Sequence, residues 1–273
     1  MLIAIQGALG SFHHEAALKI DPSAKILSCD TFAEVFSALK KDRADKGLVA
    51  IENNLHGSIN DVYRLLERND VWIIHDIRMR IGQNLIGHPG VTVEELSHDP
   101  DARVLSQGPA LAQVELWLDD NLPGAHREET HDTAASVRMV MDGGGKHDVA
   151  VAGEFAARTH GGHIIAKGIQ DDPDNFTRFI LFQKERVDND DAAHGSVILK
   201  TDHAAGSLLR ALQVFADFGS NLTKLDSHPI PGDSRHYAFY IDYELPEDNA
   251  ALIDALTAQG CSVKLLGEYK SIT

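Results

Sequence analysis

Cysteine is scarce in this chain, and its two copies, Cys29 and Cys261, stand far apart with no Cys-x-x-Cys spacing. That excludes a disulfide framework and a cysteine-based zinc site, and it fits a reducing compartment. Long apolar runs are missing too: no stretch reaches the roughly 18 residues that a membrane span requires. The opening MLIAIQGALG has no basic segment and breaks its apolar run at Gln6 and Gly7, so it reads as a first strand and not as a leader. Cations are in deficit, with 25 Lys and Arg against 41 Asp and Glu and a formal net charge of -16. No basic stripe offsets this balance, which argues against nucleic acid as a partner. The expectation is a cytoplasmic protein with no nucleic-acid or membrane partner. An anionic ligand would have to be held by local cations and helix N-termini against the global field.

What the chain does have is alternation. With 273 residues it can bury a real core in one large domain or two modest ones. Up to about residue 183, short apolar runs alternate with helical patterns, which predicts an α/β domain. Strands are expected at 2–6, 24–29, 47–51, 71–80, 103–106, 125–129, 149–152 and 179–182. Helices are expected at 12–20, 58–68, 109–119 and 133–141, and after the capping-box spacing of Thr31 and Glu34. Two lobes follow, lobe 1 at about 1–80 plus 165–183 and lobe 2 at about 81–164, with a cleft between them. Residues 184–195 are polar, acidic and aperiodic, and read as a linker. From 196 to 273 the order becomes βαββαβ, the split ferredoxin-like pattern, and this module reads as ligand-sensing or dimerising.

Four strand-to-helix junctions are small and polar: Gly7 to Ser11, Glu52 to Ser58, Ser106 to Pro109, and Thr130 to Thr133. Amides at a helix N-terminus are unsatisfied and partly positive, so such loops can hold a carboxylate. The plain alternative is that their Ser, Thr, Asn and Asp residues are N-caps, worth about 1 kcal/mol each. Glu52-Asn53-Asn54 exceeds what capping requires. The run Asn175-Phe176-Thr177-Arg178-Phe179 sets a hydroxyl beside a guanidinium, between an acidic Pro-containing turn and an apolar strand. The fifteen histidines show no metal-ligand spacing, Gly7-Ala8-Leu9-Gly10 lacks the third glycine of a dinucleotide fingerprint, and no nucleophile elbow appears. No metal and no cofactor is expected.

Together these motifs resemble the prephenate dehydratase family over nearly the whole chain. The resemblance rests on Gly7 to Phe12, on Ile51-Glu52-Asn53 with Gly57-Ser58-Ile59, and on Asn175 to Phe179. It implies a two-lobed, periplasmic-binding-protein-like catalytic domain followed by an ACT regulatory domain. It implies decarboxylating dehydration of prephenate to phenylpyruvate, in phenylalanine biosynthesis, by a homodimer or homotetramer. Thr177 would be catalytic. Asn175, Arg178, Phe179, Glu52, Asn53, Asn54, Gly57, Ser11, Ser106, Gln107, Gln113 and Thr133 would bind substrate. Phenylalanine would act as effector at Gly206, Ser207, Leu208 and Leu209 and at Asp226, Ser227, His228 and Pro229. The chain departs from the family pattern at Gln83 and Gln107, at Asp132, where the family has serine, and at His228 in the effector motif. Two other readings stay open at this point. One is an arogenate dehydratase or a non-aromatising prephenate decarboxylase, and the other is a non-catalytic aromatic-acid or amino-acid sensor.

Overall fold

The computed structural model describes residues 1–230 and 233–272. It opens with β1 (Leu2–Gln6), α1 (Phe12–Ile20), β2 (Lys25–Cys29), α2 (Phe32–Lys40), β3 (Lys46–Asn53) and the short β4 (Gly57–Ser58). β1 pairs in parallel with both β2 and β3, and β4 folds back on β3 through Asn53↔Gly57. α1 and α2 start where the sequence sets them, because Ser11 and Thr31 accept from the amides three residues on. Ala16 and Ala17 of α1 are buried, and their small side chains allow a close approach to the sheet, while Val35, Phe36 and Leu39 fill the other layer.

Helix α3 (Asn60–Arg68) and strand β5 (Trp72–Arg80) come next. A second lobe follows with β6 (Asn84–Gly87), α4 (Val93–Ser97), β7 (Arg103–Ser106), α5 (Gly108–Ala112) and α6 (Glu115–Asn121). It is completed by β8 (His126–Glu129), α7 (Thr133–Gly143), β9 (Asp148–Ala152), α8 (Glu154–His160) and β10 (His163–Ala166). Its sheet runs β10-β6-β9-β7-β8, with β7 parallel to β8 and β9 and with β6 antiparallel to β9. Leu85, Val104, Leu118 and Val149 pack on one face, and Ile86, Leu105, Val137 and Ala150 on the other. Burial of the central strands β6, β7 and β9 on both faces explains their near-continuous apolar runs.

The chain returns to the first lobe through β11 (Phe176–Gln183), which lies beside β3. It ends with β12 (His194–Lys200), α9 (Ser207–Asp217), β13 (Leu222–Ile230), β14 (Asp233–Glu244), α10 (Asn249–Ala258) and β15 (Ser262–Ile272). The order β13-β14-β12-β15 is the arrangement the βαββαβ pattern predicts. Val197, Leu199, Phe215, Ile241, Tyr243 and Leu252 form its core.

The two compact units are 1–59 with 78–179, and 60–77 with 180–273. They divide the chain elsewhere than the linker expected at 184–195. The physical reason is α3, whose Tyr63 packs on Tyr240 of β14 with ring centroids 4.6 Å apart and on His228 of β13 at 5.8 Å. Lys264 of β15 donates to the Leu66, Glu67 and Asn69 carbonyls at 3.1, 3.0 and 2.8 Å, closing the C-terminus of α3. β15 also pairs in parallel with β5.

Several expected elements change. The helix predicted from 58 starts at Asn60, because Ser58 is taken into β4. The helix predicted over 109–119 breaks at Gln113–Val114 into α5 and α6. The strand predicted at 179–182 begins at Phe176, so Thr177 lies inside it. Short β6, α4, α8 and β10 were not anticipated. Among the described residues no helix is long and apolar enough to cross a membrane.

Candidate active site

The site is built around the end of β3. The Asn53 side-chain oxygen accepts from the Leu55 and His56 amides at 3.0 and 3.1 Å, which folds the chain into a turn and fixes which way the amide faces. Its nitrogen is therefore aimed at β11, donating to Asn175 Oδ1 at 2.7 Å, Thr177 Oγ1 at 3.0 Å and the Phe176 carbonyl at 3.1 Å. Asn54 completes the junction. Its amide group accepts from Phe176 N at 2.6 Å and donates to the Asp174 carbonyl at 2.5 Å, while its backbone N–H donates to the Phe176 carbonyl at 3.0 Å. Gly57 sits at φ 78°, a left-handed turn position that suits glycine and lets β4 return along β3. These contacts explain why two consecutive asparagines stand here: both bond the Phe176 carbonyl, while Asn53 alone reaches Asn175 and Thr177 and Asn54 alone reaches Asp174 and the Phe176 amide.

A second set of contacts joins the two lobes. Gln83 Nε2 donates to Gln113 Oε1 at 3.1 Å, and Gln113 Nε2 lies 3.0 Å from His56 Nε2. His56 N in turn bonds Asn53, so one polar chain runs from Gln83 to Thr177. Gln83 also joins the two crossing segments, its N–H donating to Gln170 and its carbonyl accepting from Ile169. On the other side, Asp132 caps α7 through Ala135 N at 2.8 Å and accepts from Ala8 N at 3.3 Å. Gly7 is required beside it, since φ is +97° and a Cβ would come 2.7 Å from the Asp132 carboxylate.

The remaining expected residues separate. Ser11 caps α1, and its loop is largely engaged: the amides of Gly7, Ala8, Gly10 and Ser11 go to Cys29 O, Asp132, His14 and Ala8 O. Ser106 is no helix N-terminus. It ends β7, is fully buried, and gives its hydroxyl to the Val151 carbonyl at 2.6 Å. Gln107 is the N-cap of α5 without a side-chain bond, and Thr133 opens α7 behind its cap Asp132. Glu52 pairs in register with Ser58. Thr177 and Arg178 are successive residues of β11 and so project to opposite faces. Phe179 shares the Thr177 face and meets the His13 ring edge-on at 5.0 Å. His13 is partly buried, accepts from Ala50 N at 3.0 Å, and is held neutral by desolvation, its pKa pushed down to about 4 against the pull of Asp132.

In the C-terminal module the two expected effector segments are placed differently. Ser207 and Leu208 line a cavity of about 340 Å³ with Thr201 to Ala205, Tyr237 and Phe239. Asp226 and His228 lie 3.3 Å apart, with the His228 ring stacked on Tyr63 of α3.

The family model described as prephenate dehydratase matches residues 3–187. The chain belongs to the prephenate dehydratase family. It is 34% identical to arogenate dehydratase/prephenate dehydratase 2, chloroplastic, of Arabidopsis thaliana, over 89% of this chain and 65% of that protein, so it spans somewhat less than two thirds of that relative's length. Among solved structures it resembles a protein described as a novel type of quorum quenching acylase, at 28% identity and a TM-score of 0.86, covering 100% of this chain and 98% of that one. It also resembles the prephenate dehydratase of Arthrobacter aurescens in complex with L-Phe, at 25% identity and TM-score 0.85, covering 98% and 90%.

Within this prephenate dehydratase fold, three residues of the site, His56, Gln83 and His13, carry no role in the motifs of the sequence. His56 lies inside the Glu52 to Ser58 loop, and Gln83 stands at a departure from the family pattern. The signal for both was available: each sits at a strand end facing the other lobe, beside a residue already singled out. His13 carried none, since a His-His pair at a helix start looks like exposed polarity.

Proposed function

We propose that this protein is a prephenate dehydratase, a carbon–oxygen lyase that converts prephenate to phenylpyruvate. The observation that carries this reading is the Asn53–Thr177 hydrogen bond. Asn53 can only donate to Thr177, so the threonine oxygen is the acceptor and its own hydrogen is left to point elsewhere. That hydrogen meets the ring hydroxyl as the C–O bond breaks. The carboxylate on the ring leaves as carbon dioxide, and its bonding electrons pass through the ring and expel the hydroxyl. One proton then completes water, and the ring becomes aromatic. Aromatisation supplies the driving force, so the protein has only to orient the ring and stabilise the departing oxygen. Firm contacts belong on the pyruvyl carboxylate, because a strong clamp on the ring carboxylate would stabilise the group that must leave uncharged. Arg178, on the opposite strand face from Thr177, is not placed to clamp the ring carboxylate beside it.

The C-terminal module is proposed to be an ACT domain that binds phenylalanine and joins subunits into a homodimer or homotetramer of a cytoplasmic enzyme. Support comes from the cavity at the start of α9 and from three exposed apolar side chains, Leu209, Leu225 and Tyr237. The experiment for the activity is direct: incubate purified protein with prephenate and follow phenylpyruvate by its ultraviolet absorbance. Steady formation of phenylpyruvate with release of carbon dioxide is the expected result, and its absence at millimolar prephenate overturns the reading. For the effector, calorimetry with phenylalanine should show saturable binding that disappears when Leu208 is replaced by a charged residue.

A further inference from the structure

Gln83 is 2% exposed, and its side chain carries one hydrogen-bonding atom that no described residue meets. Its nitrogen donates to Gln113, while its oxygen Oε1 has no partner among the described residues. A buried amide oxygen with nothing to accept costs about 1–3 kcal/mol, so such an atom in a folded protein asks for a reason. Ordinary packing does not provide one here. Gln83 lies where the chain crosses between lobes, its main chain is bonded to Gln170 and Ile169, and its side chain heads the polar chain that ends on Thr177. Two residues before it, Ile81 N donates to the Asn175 carbonyl, which ties the same segment to the strand bearing Thr177.

We propose that Gln83 is a substrate-binding residue whose side-chain oxygen accepts the hydrogen of the ring hydroxyl that departs. This rests on the dehydratase reading and adds to it. Prephenate offers one hydrogen-bond donor at neutral pH, its ring hydroxyl, and the unmet atom of Gln83 is an acceptor. With that hydrogen held by Gln83, a lone pair of the hydroxyl oxygen is turned toward the proton of Thr177. No bond is made or broken by Gln83 itself.

The test uses the full chain and two unreactive, ring-saturated analogues of prephenate, one with the ring hydroxyl and one with hydrogen in its place. The unsubstituted protein should bind the hydroxylated analogue about tenfold or more tightly than the other. Gln83→Met should cut that preference by about fivefold or more, the remainder belonging to Thr177, because variants and analogues together form a double-mutant cycle. Gln83→Glu, which can still accept, should keep the preference, and it also serves if the methionine variant fails to fold. A preference unchanged in Gln83→Met, or lost in Gln83→Glu, overturns the assignment while leaving the enzyme activity standing. If neither analogue binds and prephenate is not turned over, the dehydratase reading falls and this inference with it.

Discussion

Asn53 Nδ2 donates to Thr177 Oγ1 across 3.0 Å, and the direction of that bond is set by the two backbone amides held on the other side of the Asn53 amide. A threonine hydroxyl is a poor acid, so its value depends on where its single hydrogen is aimed. Replacing Asn53 by aspartate keeps the acceptor for Leu55 and His56 but turns a donor toward Thr177 into an acceptor. The threonine hydrogen would then be drawn to Asp and away from substrate. Asn53→Asp also sets an acceptor against Asn175 Oδ1 and the Phe176 carbonyl, so it should lower the unfolding midpoint and, in the folded protein, lose about 10²-fold in kcat, in the range of a positioned proton-handling group. Steady-state kinetics alongside circular dichroism decides this, and a kcat within a few-fold of normal would sink the idea.

Thr177 itself should show the same loss when the hydroxyl goes. We expect Thr177→Ala to cost about 10²-fold or more in turnover, while Thr177→Ser stays within about tenfold because the hydroxyl remains. Combining Thr177→Ala with Asn53→Asp should cost little beyond either change alone, since both remove one function. Additive losses would show that Asn53 acts on something other than Thr177.

How far the sequence disclosed this arrangement depends on the range of the interaction. The caps Ser11 and Thr31, the strand from Leu2 and the βαββαβ order of the last module follow from local pattern, and the structure keeps them. Thr177, Asn53 and Asn175 were singled out from residue type at strand ends, and they meet. What could not be read locally was placement across the chain. Ser58 looks like a cap but is taken into β4, nothing local links α3 to β13 and β14 far along the chain, and the break at Gln113 goes with Asp171, whose N–H reaches the Gln113 carbonyl and whose carboxylate accepts from the Leu116 and Trp117 amides. The separation of Thr177 from Arg178 follows from strand alternation, once the strand is known to start at Phe176.

His13 predicts a pH dependence. Its imidazole is held neutral by burial, with a pKa of about 4 in the fold against 6.5 ordinarily. Between those values the unfolded chain binds the proton and the folded one does not, so this contribution is complete above about pH 6.5 and is lost as pH falls toward 4. His13→Gln still offers an oxygen to Ala50 N but cannot titrate. Denaturant unfolding at pH 7 and pH 4.5 should show the unsubstituted protein losing roughly 2 kcal/mol more than the variant over that interval. Equal losses in the two proteins would show that His13 does not titrate this way.

Lys264 offers a prediction at the other end of α3. Its ammonium group donates to three carbonyls, Leu66, Glu67 and Asn69, which a helix C-terminus otherwise leaves to water or unsatisfied. The positive charge also lies at the negative end of the helix dipole, so packing, hydrogen bonding and electrostatics act together. Lys264→Met keeps the apolar stem and deletes the ammonium. The midpoint of urea unfolding should fall, corresponding to about 1–2 kcal/mol. Lys270→Met, a change to another lysine of β15 that instead lies 3.6 Å from Asp191, should lower the midpoint less. An unchanged midpoint would mean that the three carbonyls find water equally well without the lysine.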